Sequence, residues 1–189
     1  QALDLFGHPL TNVVYMGMGE PLLAYANVMA SIERLTSENG LNMSPKRITI
    51  STAGIAKMIR KLADDESKVN LALSLHAADD TKRDEIMPIN EQNNLQELMD
   101  ALDYYYRKTK NRISYEYIAF EGFNDSVQDA ENLVRLCRRF PVRVNIIEYN
   151  PIENAPFGKA REDRINTFAQ VLRAREVMVT LRRSRGKDI

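Results

Sequence analysis

NVVYMGMGEPLLAYANVMASIERL, residues 12–35, holds one full unit of the pattern that runs through this sequence. Residues 12–17 form an apolar run of strand length. Gly17, Gly19, Glu20 and Pro21 then break it, and apolar residues at helical spacing follow. The same succession repeats outward along the chain. Strands are predicted over residues 12–17, 47–52, 70–76, 114–120, 142–149 and 177–183, with helices over 26–38, 55–64, 95–108, 126–139 and 162–175. Gly40 is read as a residue able to take the left-handed turn that ends the first helix, and Pro141 as the stop after the fourth. Strict alternation of this kind predicts an α/β fold with a parallel sheet and helical crossovers. Six strands are too few for a closed eight-fold barrel and fit an open or partial (β/α) barrel, read as one domain over residues 1–189.

Composition narrows the function classes without choosing one. The 189 residues carry 26 basic and 26 acidic side chains, so net charge gives no argument for a polyanionic partner. Local charge says more: four arginines lie between Arg135 and Arg143, and LRRSRGK at 181–187 adds a second basic run. No apolar run approaches the roughly eighteen residues of a membrane span, and no leader opens the sequence, so a cytoplasmic protein with no membrane partner is expected. The single cysteine, Cys137, sits in a helical pattern and is read as a small buried hydrophobe. The chain opens on Gln1 in place of Met and stops at Ile189 directly after the basic run, so truncation at both ends is expected.

In parallel α/β folds, ligands collect at the carboxyl ends of the strands. The predicted strand ends carry Gly17, Gly19 and Glu20, then Ser51 and Thr52, Ser74 and His76, Glu121, and finally Glu148 and Asn150. Period two sets Ser74 and His76 on one face and Leu73 and Leu75 on the other. The segment YMGMGEP at 15–21 is not a phosphate loop. It lacks the third glycine of the dinucleotide fingerprint and the Lys of the P-loop, and its carboxylate would repel phosphate. A cationic ligand group suits it better, because glycine lets backbone approach closely and Glu20 can accept charge-assisted hydrogen bonds from an ammonium. His76 reads equally as a hydrogen-bonded core residue, and His8 as a surface one. Tyr104, Tyr105 and Tyr106 could stack on bases, although consecutive helical residues point in different directions. No spacing of His, Cys, Asp and Glu matches a metal site, and no catalytic triad is legible. These residues make a binding site without a reactive group.

Read together, NVVYMGMGEPLLAYANV, RITISTAGI, LALSLHAADDTKRDEIMPIN, IEYNPIENAPFG and RRSRGKDI, in this order and at these separations, resemble the radical S-adenosylmethionine (SAM) 23S ribosomal RNA adenine-C2 methyltransferases. The resemblance covers nearly all of Asn12 to Ile189 and implies a partial (β/α) barrel of the radical SAM type whose second strand precedes the GxGEP segment. It implies that Gly19 and Glu20 hold the amino group of SAM. It also implies that Ser51, Ser74, Leu75 and His76 line its methionine and ribose portion, and that Asn150 lies near the adenine. The partners it implies are 23S rRNA, tRNA for dual-specificity members, and an external electron donor.

The departures matter as much. The family's CxxxCxxC loop, which ligates a 4Fe-4S cluster, should precede Gln1, and its methyl-carrying cysteine should follow Ile189; Cys137 matches neither. No catalytic or metal-ligating residue is therefore expected within the 189 residues, and as a fragment the chain is expected to be inactive. Rival readings are a C8 adenine methyltransferase on the same cofactor, a non-catalytic RNA-binding domain, and an ordinary β/α-barrel lyase, for which no strand-end lysine or metal is found.

Overall fold

Each predicted strand forms, and each pairs in parallel with the next. The computed structural model describes residue 5, residues 7–151, residue 153 and residues 155–183. The strands are β1 (Val13–Tyr15), β2 (Ile48–Thr52), β3 (Asn70–Ser74), β4 (Ile113–Ala119), β5 (Val142–Glu148) and β6 (Met178–Arg182). Between them run α1 (Tyr25–Thr36), α2 (Ala56–Asp64), α3 (Asp80–Ile86), α4 (Leu95–Thr109), α5 (Val127–Cys137) and α6 (Glu162–Ala174). The spatial order of the strands is their sequence order. A parallel sheet in sequential order winds in one direction, and the right-handed crossover rule then puts the helices on one face and leaves the other concave. This is the partial-barrel arrangement expected from the alternation.

Burial follows from that geometry. Ile48 and Ile50, Leu71 and Leu73, Tyr115 and Tyr117, and Val144 and Ile146 face the helices and are almost fully buried. They pack with Ile59 and Leu62 of α2, Leu98 and Leu102 of α4, and Phe168 and Leu172 of α6. Period two sends the intervening residues to the concave face: Thr49 and Ser51, Ala72 and Ser74, Ser114, Glu116 and Ile118, and Arg143, Asn145 and Ile147, with neighbouring strands in register. That face is polar along its centre. Glu116 is buried there, its Oε1 accepting hydrogen bonds from Asn145 at 2.7 Å and Ser114 at 2.9 Å, while Arg182 lies 3.5 Å from its Oε2.

Several expectations are corrected. The helix α3 was not predicted. Its sequence, DTKRDEI, has no apolar stripe; it is started by the Asp79 side chain, which accepts from the Lys82 amide, and its inward residue is a charged one, Arg83. Gly40 does not adopt the left-handed conformation; Asn42 does, at φ 49°. What requires glycine at position 40 is contact, since a Cβ there would lie 1.7 Å from the Arg34 carbonyl oxygen. The arginines of 135–143 are dispersed: Arg135 contacts Asn132, Arg139 pairs with Asp100, and Arg143 points to the concave face of β5. Of the tyrosine triplet, Tyr105 is buried and donates to the Val69 carbonyl at 2.6 Å, Tyr104 donates to Asp64 at 2.6 Å, and Tyr106 packs on Phe140. Burial pushes the Cys137 thiol up to about 12, in keeping with an inert packing role. The basic run beyond Arg183, together with Ile152 and Asn154 of the IEYNPIENAPFG segment, lies outside the described residues. Among the described residues no helix is long and apolar enough to cross a membrane.

The contact at Gly40 gives a direct check. Gly40→Ala should destabilise the fold by about 1–3 kcal/mol through a forced shift of the helix terminus, read as a lower urea midpoint with an unchanged slope.

Candidate ligand-binding site

At the carboxyl end of the sheet a cavity of about 310 Å³ is lined by Met16, Gly17, Gly19, Glu20 and Pro21 after β1, Ser51, Thr52 and Ala53 at the end of β2, and Ser74 and His76 at the end of β3, closed by Met87, Glu116, Ile118 and Ile147. Five of the seven residues singled out from sequence, Gly19, Glu20, Ser51, Ser74 and His76, therefore share one cavity. Leu75 and Asn150 do not line it. The Leu75 side chain is fully buried among the helices, and only its carbonyl faces the site's supports; Asn150 is exposed beyond the end of β5.

The chain between β1 and α1 folds as it does because Glu20 holds it. Gly19, at φ +92°, turns the backbone through a conformation that disfavours any side chain. Glu20 Oε1 then accepts from the Leu22 amide at 3.0 Å, capping the 3-10 turn Pro21–Ala24, and Oε2 accepts from the Ala53 amide at 2.7 Å. The carboxylate is thus a clamp between the ends of β1 and β2. Each oxygen keeps a second lone pair, so acceptor capacity toward a ligand donor remains.

Behind the cavity lies Arg83, the largest side chain with no solvent exposure. Its Nη2 donates to the carbonyls of Ala53 at 2.7 Å and Ser74 at 3.3 Å, its Nε to that of Leu75 at 3.1 Å, and its Nη1 to Asn90 Oδ1 at 2.6 Å. Asn90 in turn donates to Asp80 at 2.9 Å and Asp84 at 2.7 Å. Burial lowers the guanidinium pKa to about 10, the two aspartates opposing that shift, so it stays cationic at neutral pH.

His76 is not a continuation of β3. It sits at φ +55°, with its amide donating to the Glu116 carbonyl at 3.2 Å, and its own carbonyl is held by Asn124 Nδ2 at 2.6 Å. Asn124, fully buried, also donates to the Ile118 carbonyl and accepts from the Phe120 amide. The Ile118 amide donates to His76 Nδ1 at 3.2 Å. Burial, and after it the Arg83 charge, lower the His76 pKa to about 4. The ring is neutral at physiological pH, and because Nδ1 accepts, the proton resides on Nε2, which makes that atom a donor. The site thus combines acceptors at Glu20, hydroxyls at Ser51 and Ser74, a neutral imidazole N–H and apolar walls of Met16, Met87, Ile118 and Ile147. That set suits a ligand with both hydrogen-bond donors and an apolar body.

Sequence reasoning missed Glu116, Met87 and the supporting pair Arg83 and Asn124. Glu116 was legible, since a carboxylate between two tyrosines in a strand, two residues after Ser114, falls on the face opposite the core. An iron-sulfur cluster does not fit the residues present. No group of His, Cys, Asp and Glu among the described residues could hold a metal ion, and the one cysteine lies on α5 with a raised pKa.

Two outcomes follow from these supports. Arg83→Met strands three carbonyls and leaves the Asp80 and Asp84 charges facing a neutral core, and should cost about 3–5 kcal/mol in urea unfolding. For His76, the folded pKa of about 4 lies below the ordinary 6.5. The unfolded chain therefore binds the proton first, and the contribution is full above about pH 6.5 and lost as pH falls toward 4, by at most about 3 kcal/mol. Unfolding measured across that range should show the gap between wild type and His76→Asn narrowing with acidification.

Comparison with known proteins agrees with this architecture. The Radical SAM superfamily profile matches residues 1–137. A protein of Christiangramia forsetii named "Probable dual-specificity RNA methyltransferase RlmN" is 54% identical over 97% of this chain and 52% of its own length. The protein of that name from Salinibacter ruber is 50% identical over 100% of this chain and 52% of its own. The crystal structure of a radical SAM methyltransferase from Sphaerobacter thermophilus superposes with a TM-score of 0.93 at 43% identity, covering 98% of this chain and 55% of that one. The chain thus spans about half the length of the curated relatives it matches, at 52% in both cases. With the profile, the strand order and the strand-end cavity all in agreement, the chain belongs to the radical SAM superfamily.

Proposed function

We propose that this chain is the SAM-binding core of an enzyme that methylates C2 of an adenine in RNA, with 23S ribosomal RNA as a substrate and transfer RNA as a second. The observation that carries the reading is the gathering of Gly19, Glu20, Ser51, Ser74 and His76, drawn from the ends of three strands, around one cavity. The RNA assignment is supported by relatives at 50–54% identity whose names describe RNA methyltransferases. SAM, when bound, supplies the methyl group and the sulfonium chemistry.

What the chain's own residues do is bind and orient. Glu20 offers its remaining lone pairs to the ligand's ammonium, at a position fixed beforehand by the Leu22 and Ala53 amides. Ser51 and Ser74 present hydroxyls from adjacent strands, and the His76 Nε2–H donates without carrying charge, which suits a ligand that is itself cationic. Leu75 supports this arrangement through its carbonyl, and Asn150, exposed beyond the end of β5, is proposed from the family resemblance as a contact to the adenine. We infer that the cluster ligands belong to the part of the relatives' length that this chain does not span, so the 189 residues alone should not cleave SAM reductively. The setting we assign is cytoplasmic, with an external electron donor.

Mass spectrometry of adenosines from unmodified ribosomal RNA, treated with the intact, anaerobically reconstituted enzyme, SAM and a reductant, tests the reading. The expected product is 2-methyladenosine. Formation of 8-methyladenosine would move the assignment to the C8 reaction, and no methylation with an intact cluster would withdraw it. Glu20→Ala, checked for folding, should weaken SAM binding by about tenfold or more.

A further inference from the structure

The opposite end of the sheet carries a second hollow of different chemistry. About 320 Å³ in volume, it opens at the amino ends of the strands and is lined by Lys46, Lys110, Arg112 and Arg143, with Asn70, Asn111, Tyr106 and Met178 among its other walls and no carboxylate. All four cations are exposed, and none forms an ion pair with a described residue. Elsewhere eleven of the described lysines and arginines form ion pairs, and acids and bases are equal in number overall. Four cations with no described acidic partner around one concavity are therefore a local segregation of charge, repulsive when empty and relieved by an anion. Lys110 is also held in place by an aromatic contact. Lys110 sits at φ 55° at the end of α4 with its Nζ 5.0 Å from the Tyr106 ring centre, and that ring packs on Phe140. Arg143 stands on the concave face of β5, in register with Met178.

We propose that this basic mouth is a docking site for the phosphodiester backbone of RNA. The ligand chemistry is phosphate oxyanion; the choice of RNA over a free nucleotide rests on the methyltransferase reading above and on charge complementarity with several cations spread over one rim. It lies toward the other end of β4 from the SAM cavity, with Arg112 and Glu116, Asn70 and Ser74, and Arg143 and Ile147 each about 13 Å apart along their strands at the rise of an extended chain. It therefore holds RNA remote from the target base and adds affinity without touching the reacting nucleotide.

The test is fluorescence anisotropy of a labelled RNA stem-loop with the full chain, over salt concentrations of about 50–200 mM. The variant Lys46→Gln/Lys110→Gln/Arg112→Gln/Arg143→Gln is compared with the charge-matched Arg34→Gln/Lys57→Gln/Arg138→Gln/Arg173→Gln, whose positions are exposed elsewhere. The first should bind at least about tenfold more weakly at low salt, with the log–log salt slope reduced by about 3, while the second keeps most of both. Equal losses in the two variants, or no loss in the first, would overturn the site. So would inorganic phosphate or ATP binding at this mouth with RNA affinity unchanged. Circular dichroism checks that both variants fold, and SAM binding separates the two readings: a chain that binds RNA here and takes no SAM keeps the docking site and loses the methyltransferase.

Discussion

A single buried cation holds the ligand end of this sheet together. Arg83 has no exposure to solvent, and its guanidinium reaches the carbonyls of Ala53, Ser74 and Leu75 while Asn90 carries its charge on to Asp80 and Asp84. A buried charge is tolerated only when its donors are satisfied and a counter-charge is near, and both conditions are met here. The consequence passes directly to the cavity. Ala53 is held through its carbonyl by Arg83 and donates its amide to Glu20, so the GEP turn after β1, the end of β2 and the end of β3 are fixed relative to one another through one side chain. On the far side Asn124 does the same for His76, Ile118 and Phe120. The ligand cavity is therefore built before any ligand arrives, which lowers the ordering cost of binding.

Much of this was legible from residue patterns. Alternating apolar runs and helical stretches predict six parallel strands because the hydrophobic period itself changes from two to 3.6 between elements. The strand ends named the cavity because ligand chemistry in parallel sheets gathers there. What escaped has specific causes. The helix α3 has no apolar stripe, since the residue it buries is an arginine. Leu75 entered the set of site residues through the family resemblance alone, whereas the alternation that sends Ser74 to the concave face sends the Leu75 side chain to the core. His76 reaches the cavity through a left-handed turn, a conformation uncommon for any non-glycine residue and invisible to a strand pattern. Gly40 was given the right importance for the wrong reason, close approach in place of backbone handedness.

The concave face joins two ends with opposite preferences. Its carboxyl end presents Glu20 and Glu116 around the cavity and suits a ligand that brings positive charge and donors; its amino end presents lysines and arginines and suits phosphate. Between them Glu116, Asn145, Ser114 and Arg182 form a polar middle layer that keeps the sheet's interior from being a simple apolar core. In a chain with no net charge, the two ends of one sheet thus differ in the charge they present.

The central claim is that the strand-end cavity is the SAM site. An amide NMR titration of the chain with SAM tests it most directly. The account predicts shifts concentrated at Gly19, Ala53, His76 and Ile118, whose backbone groups border the cavity or its clamps, with the basic mouth around Arg112 unperturbed. Saturable shifts confined to another surface, or none at SAM concentrations that fold-related enzymes bind, would contradict it.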